Sequence, residues 1–288
     1  KVCPRTGDLL FFNYSKTAPY MHYGEVDRNN QLVHYVPVPL PGPRLPHDMV
    51  FTEHFAILND FPLHWDEALL PQGKHKLIYR EDQPARFAVV PRRNAPQTGV
   101  RWFEASPTYV LHWLNAWEEG DELVLHGYHQ KTPMPKLGYD NTGNTLGPDR
   151  YGPTLYEWRL NLRTGQTQER VIDDVLNTEF PVINSLYQGR KNRHSYHVIF
   201  PQGGKEEPRF PGLVKYDLST GGYIAYSAGP QFFYNEPGFA PRDNAQSEDD
   251  GYLITLAWNP IDQRSEIQIF DAKGARMCEG PVARIIMP

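Results

Sequence analysis

The residue with the clearest chemical potential is His112, which stands between Leu111 and Trp113 in an apolar run. A buried imidazole that has neither a hydrogen bond nor a metal destabilises the folded chain by several kcal/mol. Two alternatives satisfy it: a core histidine bonded to a backbone carbonyl, or a ligand to a metal ion. The residue types alone leave both open.

Two strands joined by a tight turn are predicted to position this histidine. Tyr109–Trp117 is rich in aromatic residues and contains His112, and Glu122–Tyr128 alternates apolar and polar residues, as a half-buried strand does. Glu119-Gly120-Asp121 between them predicts a hairpin turn in which glycine supplies the positive φ.

A second candidate, His47, lies in Pro46-His47-Asp48, just before a predicted hairpin of Met49–Thr52 and Phe55–Asn59. The pattern alone describes it as a turn residue at the start of a strand. Two carboxylates, Glu179 and Glu236, lie beside predicted strands, where surface charge is the ordinary interpretation.

Other arrangements that could carry chemistry fail on geometry or are missing. His126 and His129 are three residues apart, as are His194 and His197, and side chains at that spacing on a strand point to opposite faces. The sequence has no serine nucleophile elbow, phosphate-binding loop or zinc-type cysteine pair.

Composition excludes several classes of protein. The 288 residues carry a formal net charge of −5 and no basic block, so a nucleic-acid surface is not expected. No run approaches the roughly 20 apolar residues of a membrane span. Two cysteines are too few for a disulfide framework, which favours a reducing compartment, and we expect a cytoplasmic protein.

Short alternating runs separated by turn signals indicate an all-β sandwich, barrel or propeller. The 23 glycines and 27 prolines are scattered along the chain, and long helical periodicity is absent. The polar stretch Lys131–Gly152 has no periodicity and is predicted to be a long loop. One short helical turn is predicted around Asp66–Leu70.

An internal sequence repeat favours the propeller. Leu155–Gly165 and Leu213–Gly221 each predict a strand that ends in a polar-x-Thr-Gly turn, and Pro4-Arg5-Thr6-Gly7 repeats the turn. A repeat about once per roughly 40–50 residues is typical of propeller blades.

The stretch RWFEASPTYVLHWLNAWEEGDELVL resembles the RWFEAPPCYVFHTLNAYEEGDEVVL region of carotenoid cleavage oxygenases, which include stilbene-cleaving enzymes. In that family the histidine of the F-H-x-x-N-A run is one of four that hold a non-haem iron(II). The resemblance implies that His112 is an iron ligand, although Leu111 replaces the family's usual aromatic residue.

Three further stretches are similar to the family. HDMVFTEHFAI looks like HDFAITENYAIF, which implies that His47 is a second iron ligand. Glu179 opens a match to EFPRI, and Glu236 opens a match to EPVFVPR. The resemblance implies that each glutamate accepts the remaining ring N–H of a ligand histidine and fixes its orientation.

The resemblance implies a fold and an incomplete chain. Carotenoid oxygenases are seven-bladed β-propellers, and residues 1–288 would form a single, partial propeller domain of about five blades. The family needs four histidine ligands, and only two match here. The chain begins just after the family's first ligand region and ends just before its fourth, so we expect a portion of a longer enzyme.

The activity implied is that of an Fe²⁺-dependent dioxygenase. Such an enzyme cleaves one C=C bond of a carotenoid, an apocarotenoid or a stilbene with O₂ and gives two carbonyl products. The expected partners are an apolar polyene or stilbene, O₂ and, peripherally, a membrane from which the substrate is extracted. We expect this portion alone to be inactive.

Two alternatives remain. The first is a non-catalytic propeller of the same descent, which binds an apocarotenoid or a protein partner and holds no iron. The second is an unrelated propeller hydrolase such as a calcium lactonase, which needs converging oxygen ligands rather than histidines.

Overall fold

The computed structural model describes residues 1–130, 152–200, 210–229 and 232–287. The predicted loop Lys131–Gly152 lies, except for its last residue, outside the described residues. Within those ranges the chain forms strands and three short 3₁₀ turns, Leu70–Gln72, Ser185–Tyr187 and Arg276–Glu279, and no α-helix. No helix in this part of the chain is long and apolar enough to cross a membrane.

The strands of the described residues have two to nine residues each. In chain order they are β1 Leu9–Tyr14, β2 Met21–Val26, β3 Leu32–Pro37, β4 Val50–Phe51, β5 Phe55–Asp60, β6 Leu63–Trp65, β7 Leu77–Tyr79, β8 Ala85–Pro91, β9 Arg101–Ala105, β10 Trp113–Glu119, β11 Glu122–His129, β12 Thr154–Asn161, β13 Thr167–Asp173, β14 Thr178–Val182, β15 His194–Ile199, β16 Gly212–Asp217, β17 Gly222–Tyr226, β18 Phe233–Tyr234, β19 Gly238–Pro241, β20 Gly251–Asn259, β21 Arg264–Asp271 and β22 Pro281–Ile286.

Strands that are neighbours in sequence are also neighbours in the sheets. The strand orders are β1-β2-β3, β4-β5-β8-β9, β10-β11-β12-β13, β14-β15-β16-β17 and β18-β20-β21-β22, with β19 paired to β20. The small hairpin β6-β7 is inserted between β5 and β8. An up-and-down antiparallel sheet of four strands is the architecture of a propeller blade, while the number of blades stays a prediction.

The three echoed turns have the same backbone geometry. In each, a glycine at positive φ donates its N–H to the carbonyl four residues earlier: Gly7 to Cys3 at 2.8 Å, Gly165 to Asn161 at 2.8 Å and Gly221 to Asp217 at 2.9 Å. Glycine is required because side chains rarely adopt this left-handed conformation. The polar residue that opens the two later turns, Asn161 or Asp217, accepts backbone N–H groups within its own turn.

The chain divides into two compact units. The first comprises the described residues of Lys1–Pro135, Tyr156–Arg170 and Gln188–Lys191. Its core has two apolar clusters, and sheet β4-β5-β8-β9 contributes to both: Leu58 and Val90 belong to one, and Ile57, Phe87 and Val89 to the other. Alternate residues of one strand therefore serve opposite faces, as the pleat requires.

An aromatic group forms the centre of one of these clusters. Phe87, Trp113 and Trp158 contact one another edge to face, with ring centroids 5.4 to 5.8 Å apart. All three are buried. Such pairs add about 0.5–1.5 kcal/mol each to the gain from burial, so the backbone immediately after His112 is anchored in a rigid core.

The second unit comprises the described residues of Lys136–Leu155, Val171–Tyr187 and Asn192–Pro288. Its apolar cluster includes Tyr196, Leu213, Leu253 and Phe270. The unit also buries an ion pair, in which Lys215 Nζ donates to Asp249 at 2.7 Å and to the carbonyls of Ala272 and Gly274. These bonds satisfy all three donors of the ammonium group.

Some predicted element boundaries are wrong. The strand placed at Tyr109–Trp117 begins at Trp113, so His112 precedes the strand instead of standing in its middle. The reason is that Tyr109 makes only an isolated bridge to Gln130, and the ladder between β10 and β11 starts at Trp113. The helical turn predicted at Asp66–Leu70 lies at Leu70–Gln72. The hairpin turn is confirmed, with Gly120 at φ 60°.

One sheet face in the second unit is apolar and exposed. Alternate residues of β20, Ile254, Leu256 and Trp258, are 36%, 45% and 41% exposed. Ile269 and Ile267 of β21 lie opposite the first two. A contiguous apolar patch of this kind is a surface for association, unlike a single exposed hydrophobic residue.

We therefore expect the 288-residue chain to self-associate as its concentration rises. Leu256→Lys places a charge in the middle of the patch and should shift the apparent mass in analytical ultracentrifugation toward the monomer. Ile261→Lys is the matched control, because Ile261 is more exposed than Leu256 but lies in the turn after β20. Equal association of both variants and the parent chain would contradict this expectation.

Candidate metal centre

His47 and His112 lie together in the first unit. Each belongs to the irregular segment that leads into a strand, His47 before β4 and His112 directly before β10. Their ring centroids are 5.0 Å apart, and the ring planes meet at 75°. The structure thus brings together two histidines that are 65 positions apart in the sequence.

The carboxylate of Asp48 joins the two histidine-bearing segments. Its Oδ2 accepts the backbone N–H of Trp113 at 3.0 Å, and its Oδ1 accepts the N–H of Met49 at 2.7 Å. Lys1 Nζ donates to the same Oδ2 at 3.1 Å. Because Asp48 follows His47 and Trp113 follows His112, one carboxylate fixes the backbone next to both imidazoles.

Two further contacts hold the same segments side by side. The Tyr109 hydroxyl donates to the Leu45 carbonyl at 3.1 Å, before the histidines. After them, Glu118 accepts the Thr52 hydroxyl at 2.6 Å and the His54 backbone N–H at 2.8 Å. Although desolvation alone raises the pKa of Glu118, these bonds lower it overall, so Glu118 stays charged at neutral pH.

Asn115, the asparagine three residues after His112 in the sequence motif, binds the loop that contains Gly189 and Arg190. Its side-chain amide donates to the Arg190 carbonyl at 2.7 Å, and its Oδ1 accepts the Gly189 N–H at 3.0 Å. Gly189 has φ 77°, and a Cβ there would lie 2.9 Å from the Phe51 ring. Sequence reasoning noted Asn115 only as part of the motif and missed this loop-binding role.

The protonation state of His47 suits metal binding. Desolvation lowers the pKa of His47, the neighbouring His112 lowers it further, and Asp48 acts in the opposite direction. The imidazole is therefore neutral at physiological pH, which leaves a ring nitrogen able to donate its lone pair to a metal.

The donor set fits iron(II) in part. Imidazole nitrogen is a suitable ligand for Fe²⁺, and both rings lie at one place. Among the described residues, no group of three or more His, Cys, Asp or Glu side chains could hold a metal ion. The structure thus brings two candidate ligands together, and their binding of iron stays a prediction.

Other histidines in the described part of the chain have partners of their own. His54 Nδ1 pairs with Glu118 at 2.9 Å, His126 Nε2 with Glu157 at 2.9 Å, and His197 Nε2 with the Ser195 hydroxyl at 2.8 Å. Desolvation lowers the pKa of buried His126 and lowers that of His197 to about 3. These three imidazoles have structural partners, those of His126 and His197 in buried surroundings and that of His54 nearer the surface.

The buried, neutral His197 makes the folded state sensitive to acid. Its pKa is near 6.5 when the chain is unfolded and about 3 when it is folded, so the unfolded state binds the extra proton first. Its contribution to stability is complete above pH 6.5 and is lost as the pH falls toward 3. The slope reaches about 1.4 kcal/mol per pH unit.

We expect His197→Phe to reduce this slope. The phenyl ring keeps the edge contact to Tyr216, whose ring centroid lies 5.1 Å away, and it removes the titrating nitrogens. Urea unfolding at pH 7, 6, 5 and 4 measures the free energy of unfolding of both chains. Equal slopes in the two chains would show that His197 does not titrate on unfolding.

The two predicted carboxylates belong to the second unit. Glu179 is buried on β14, and its Oε2 accepts the Phe180 N–H at 2.5 Å. Glu236 is exposed in the segment between β18 and β19. Their hydrogen bonds to ligand histidines stay predictions.

A cavity of about 510 Å³ in the second unit is lined by charged pairs. Arg193 donates to Asp217 at 2.6 Å, and Lys215 to Asp249 at 2.7 Å, while Tyr223 adds a ring to the wall. Paired charges of this kind do not suit an apolar polyene, so we do not assign the substrate to this cavity.

The family profile described as retinal pigment epithelial membrane protein matches residues 1–288. The chain belongs to this family, that of the carotenoid oxygenases. The resemblance inferred from the motifs around His47 and His112 is therefore confirmed.

Two curated relatives show the range of this carotenoid oxygenase family. A carotenoid 9,10(9',10')-cleavage dioxygenase 1 of Arabidopsis thaliana is 33% identical and matches all of this chain and 54% of its own length. Lignostilbene-alpha,beta-dioxygenase isozyme III of Sphingomonas paucimobilis is 28% identical and matches all of this chain and 61% of its own length. The chain thus spans little more than half of the first of these relatives.

A solved structure supports the fold. The crystal structure of Pseudomonas brassicacearum lignostilbene dioxygenase superposes with a TM-score of 0.86 at 28% identity, and it covers 100% of this chain and 62% of the other. The match confirms the predicted fold class, an all-β propeller of the carotenoid oxygenase type.

Proposed function

We propose that these 288 residues form part of a non-haem iron(II) dioxygenase that cleaves a C=C bond with O₂ to give two carbonyl products. The observation that carries the proposal is the pair His47 and His112, with ring centroids 5.0 Å apart. Relatives of this chain are dioxygenases named for carotenoid and lignostilbene cleavage. These names support oxygenase chemistry for this chain, while the metal and the substrate are the finer parts of the proposal.

His47 and His112 would hold the metal through neutral imidazole nitrogens. Bound iron(II) supplies the activation of dioxygen that a closed-shell double bond requires. The Asp48 carboxylate joins the two segments that carry the rings, because it accepts the N–H of the residue after His112. The buried aromatic group of Phe87, Trp113 and Trp158 keeps the backbone after His112 rigid.

The substrate class proposed is a conjugated apolar molecule, a carotenoid, an apocarotenoid or a stilbene. The names of the relatives at 33% and 28% identity cover both a carotenoid and a lignostilbene. Such substrates partition into membranes, so peripheral contact with a lipid surface is part of the proposal. A charged or strongly hydrated substrate is not expected.

The ligand role is tested in a longer form of the protein that extends beyond both ends of this chain. We expect one iron per protein by elemental analysis, and oxygen uptake on an electrode with a polyene or a stilbene. His47→Ala and His112→Ala should each lose iron and activity at least tenfold, because a neutral ligand is removed. His54→Ala is the matched control, because His54 lies in the same hairpin and pairs with Glu118.

Three outcomes contradict parts of this proposal. An extended protein that binds substrate without stoichiometric iron would be the non-catalytic propeller. Full iron in both alanine variants would show that other residues are the ligands. The 288-residue chain alone should bind iron weakly and not turn over, so a tight iron with substrate cleavage in this chain would show that it holds the complete site.

The two carboxylates are tested in the same extended protein. We expect Glu179→Gln and Glu236→Gln each to weaken iron retention by about 10–100-fold, because a carboxylate bonded to a ligand imidazole fixes its orientation and raises its basicity. Retention is measured as iron content after dialysis against a chelator. Unchanged iron content and activity in both variants would make these glutamates ordinary structural or surface charges.

A further inference from the structure

We infer that Asp48 is a positioning residue that sets the spacing of His47 and His112 and on which metal binding by this pair depends. Asp48 does not contact the reacting atoms and acts through the backbone beside each imidazole. This inference rests on the metal-binding role proposed for the two histidines, and it adds a residue that the sequence motifs did not single out.

Hydrogen bonds to both oxygens show what the carboxylate does. Oδ1 accepts the N–H of Met49 at 2.7 Å, in its own segment, and Oδ2 accepts the N–H of Trp113 at 3.0 Å, in the other segment. The Asp48 carbonyl in turn accepts the side-chain amide of Asn59 at 2.7 Å, which ties the residue to β5. Asp48 is thus held on its own sheet while it holds the neighbouring one.

The position of these bonds in the chain gives them their effect on the metal site. His47 and His112 both lie outside the regular strands, in the segments that lead into β4 and β10. Trp113 is the first residue of β10, and its N–H goes to Asp48. His47 and His112 directly precede the two residues that this hydrogen bond joins. A change in the bond therefore displaces both imidazole rings.

The two hydrogen bonds of Asp48 require an ionised carboxylate as well as a side chain of this size. An ionised carboxylate accepts at both oxygens, whereas the amide of asparagine accepts at one atom and donates at the other. In Asp48→Asn, the NH₂ group therefore faces either the N–H of Met49 or the N–H of Trp113. One of the two bonds is lost although the side chain has almost the same size.

Glu118, near the C-terminal end of β10, supplies a matched control. It is also a carboxylate that joins these two segments, by accepting the Thr52 hydroxyl and the His54 N–H. Glu118 lies six residues after His112 on β10, whereas Asp48 is bonded to the residue next to it. Glu118→Gln therefore disturbs the packing of the segments without touching the backbone beside either ring.

The experiment is a titration of the 288-residue chain with Co²⁺, followed by calorimetry and by the visible d–d absorption of the bound ion. His112→Ala identifies the part of the binding that belongs to the pair. We expect Asp48→Asn to weaken that part by about tenfold and to alter the absorption bands. Glu118→Gln should leave both unchanged, even where thermal unfolding shows equal losses of stability in the two variants.

The outcomes distinguish failure of the positioning role of Asp48 from failure of metal binding by the histidine pair. If His112→Ala binds Co²⁺ as the parent does, the pair does not hold the ion in this chain and the inference is overturned, while the proposed function is decided separately by the iron content of the extended protein. If His112→Ala weakens binding and Asp48→Asn does not, only the positioning role is overturned. Equal weakening by Glu118→Gln also overturns it.

Asp48→Glu keeps the test decisive where Asp48→Asn does not fold. This variant retains the charge, but its longer arm cannot keep both amide bonds at their present lengths. We expect Co²⁺ binding to weaken here too, because the geometry has changed. Parent-like affinity and absorption in Asp48→Glu would mean that charge alone matters and would overturn the positioning role.

Discussion

The hydrogen bond from the Trp113 backbone N–H to the Asp48 carboxylate is the constraint on which the candidate site depends. It joins two sheets at the point where each enters its first regular strand, and both histidines lie beside it. A buried N–H without this acceptor would destabilise the fold by about 1–3 kcal/mol. Stability of the packed sheets and geometry of the histidines therefore have a common cause.

The apolar core around Trp113 allows this hydrogen bond to hold the histidine segments in place. Sheet β4-β5-β8-β9 has apolar residues on both faces, and Trp113 packs edge to face with Phe87 and Trp158. Interiors of this kind are close-packed, so a displacement of the backbone is resisted by many contacts at once. The two imidazoles thus belong to short irregular segments whose ends are held by the packed sheets.

The sequence was informative where the cause is local. Alternation and turn residues predicted most strands and the glycine turns at Gly165 and Gly221, because pleat and positive φ are properties of a few adjacent residues. The start of β10 was predicted four residues too early, since the true start depends on pairing with β11. The functions of Asp48 and Glu118 could not be predicted from spacing, because each accepts hydrogen bonds from a segment more than 60 residues away.

The order of strands in the sheets has a consequence for how the molecule assembles. Nearly every strand pairs with a neighbour in sequence, so most contacts within a sheet are local in the chain. His47 and His112 precede strands of different sheets, and no single sheet contains both. Their proximity therefore depends on the packing of two sheets against each other, and ligand capture by this pair reports on completed tertiary structure.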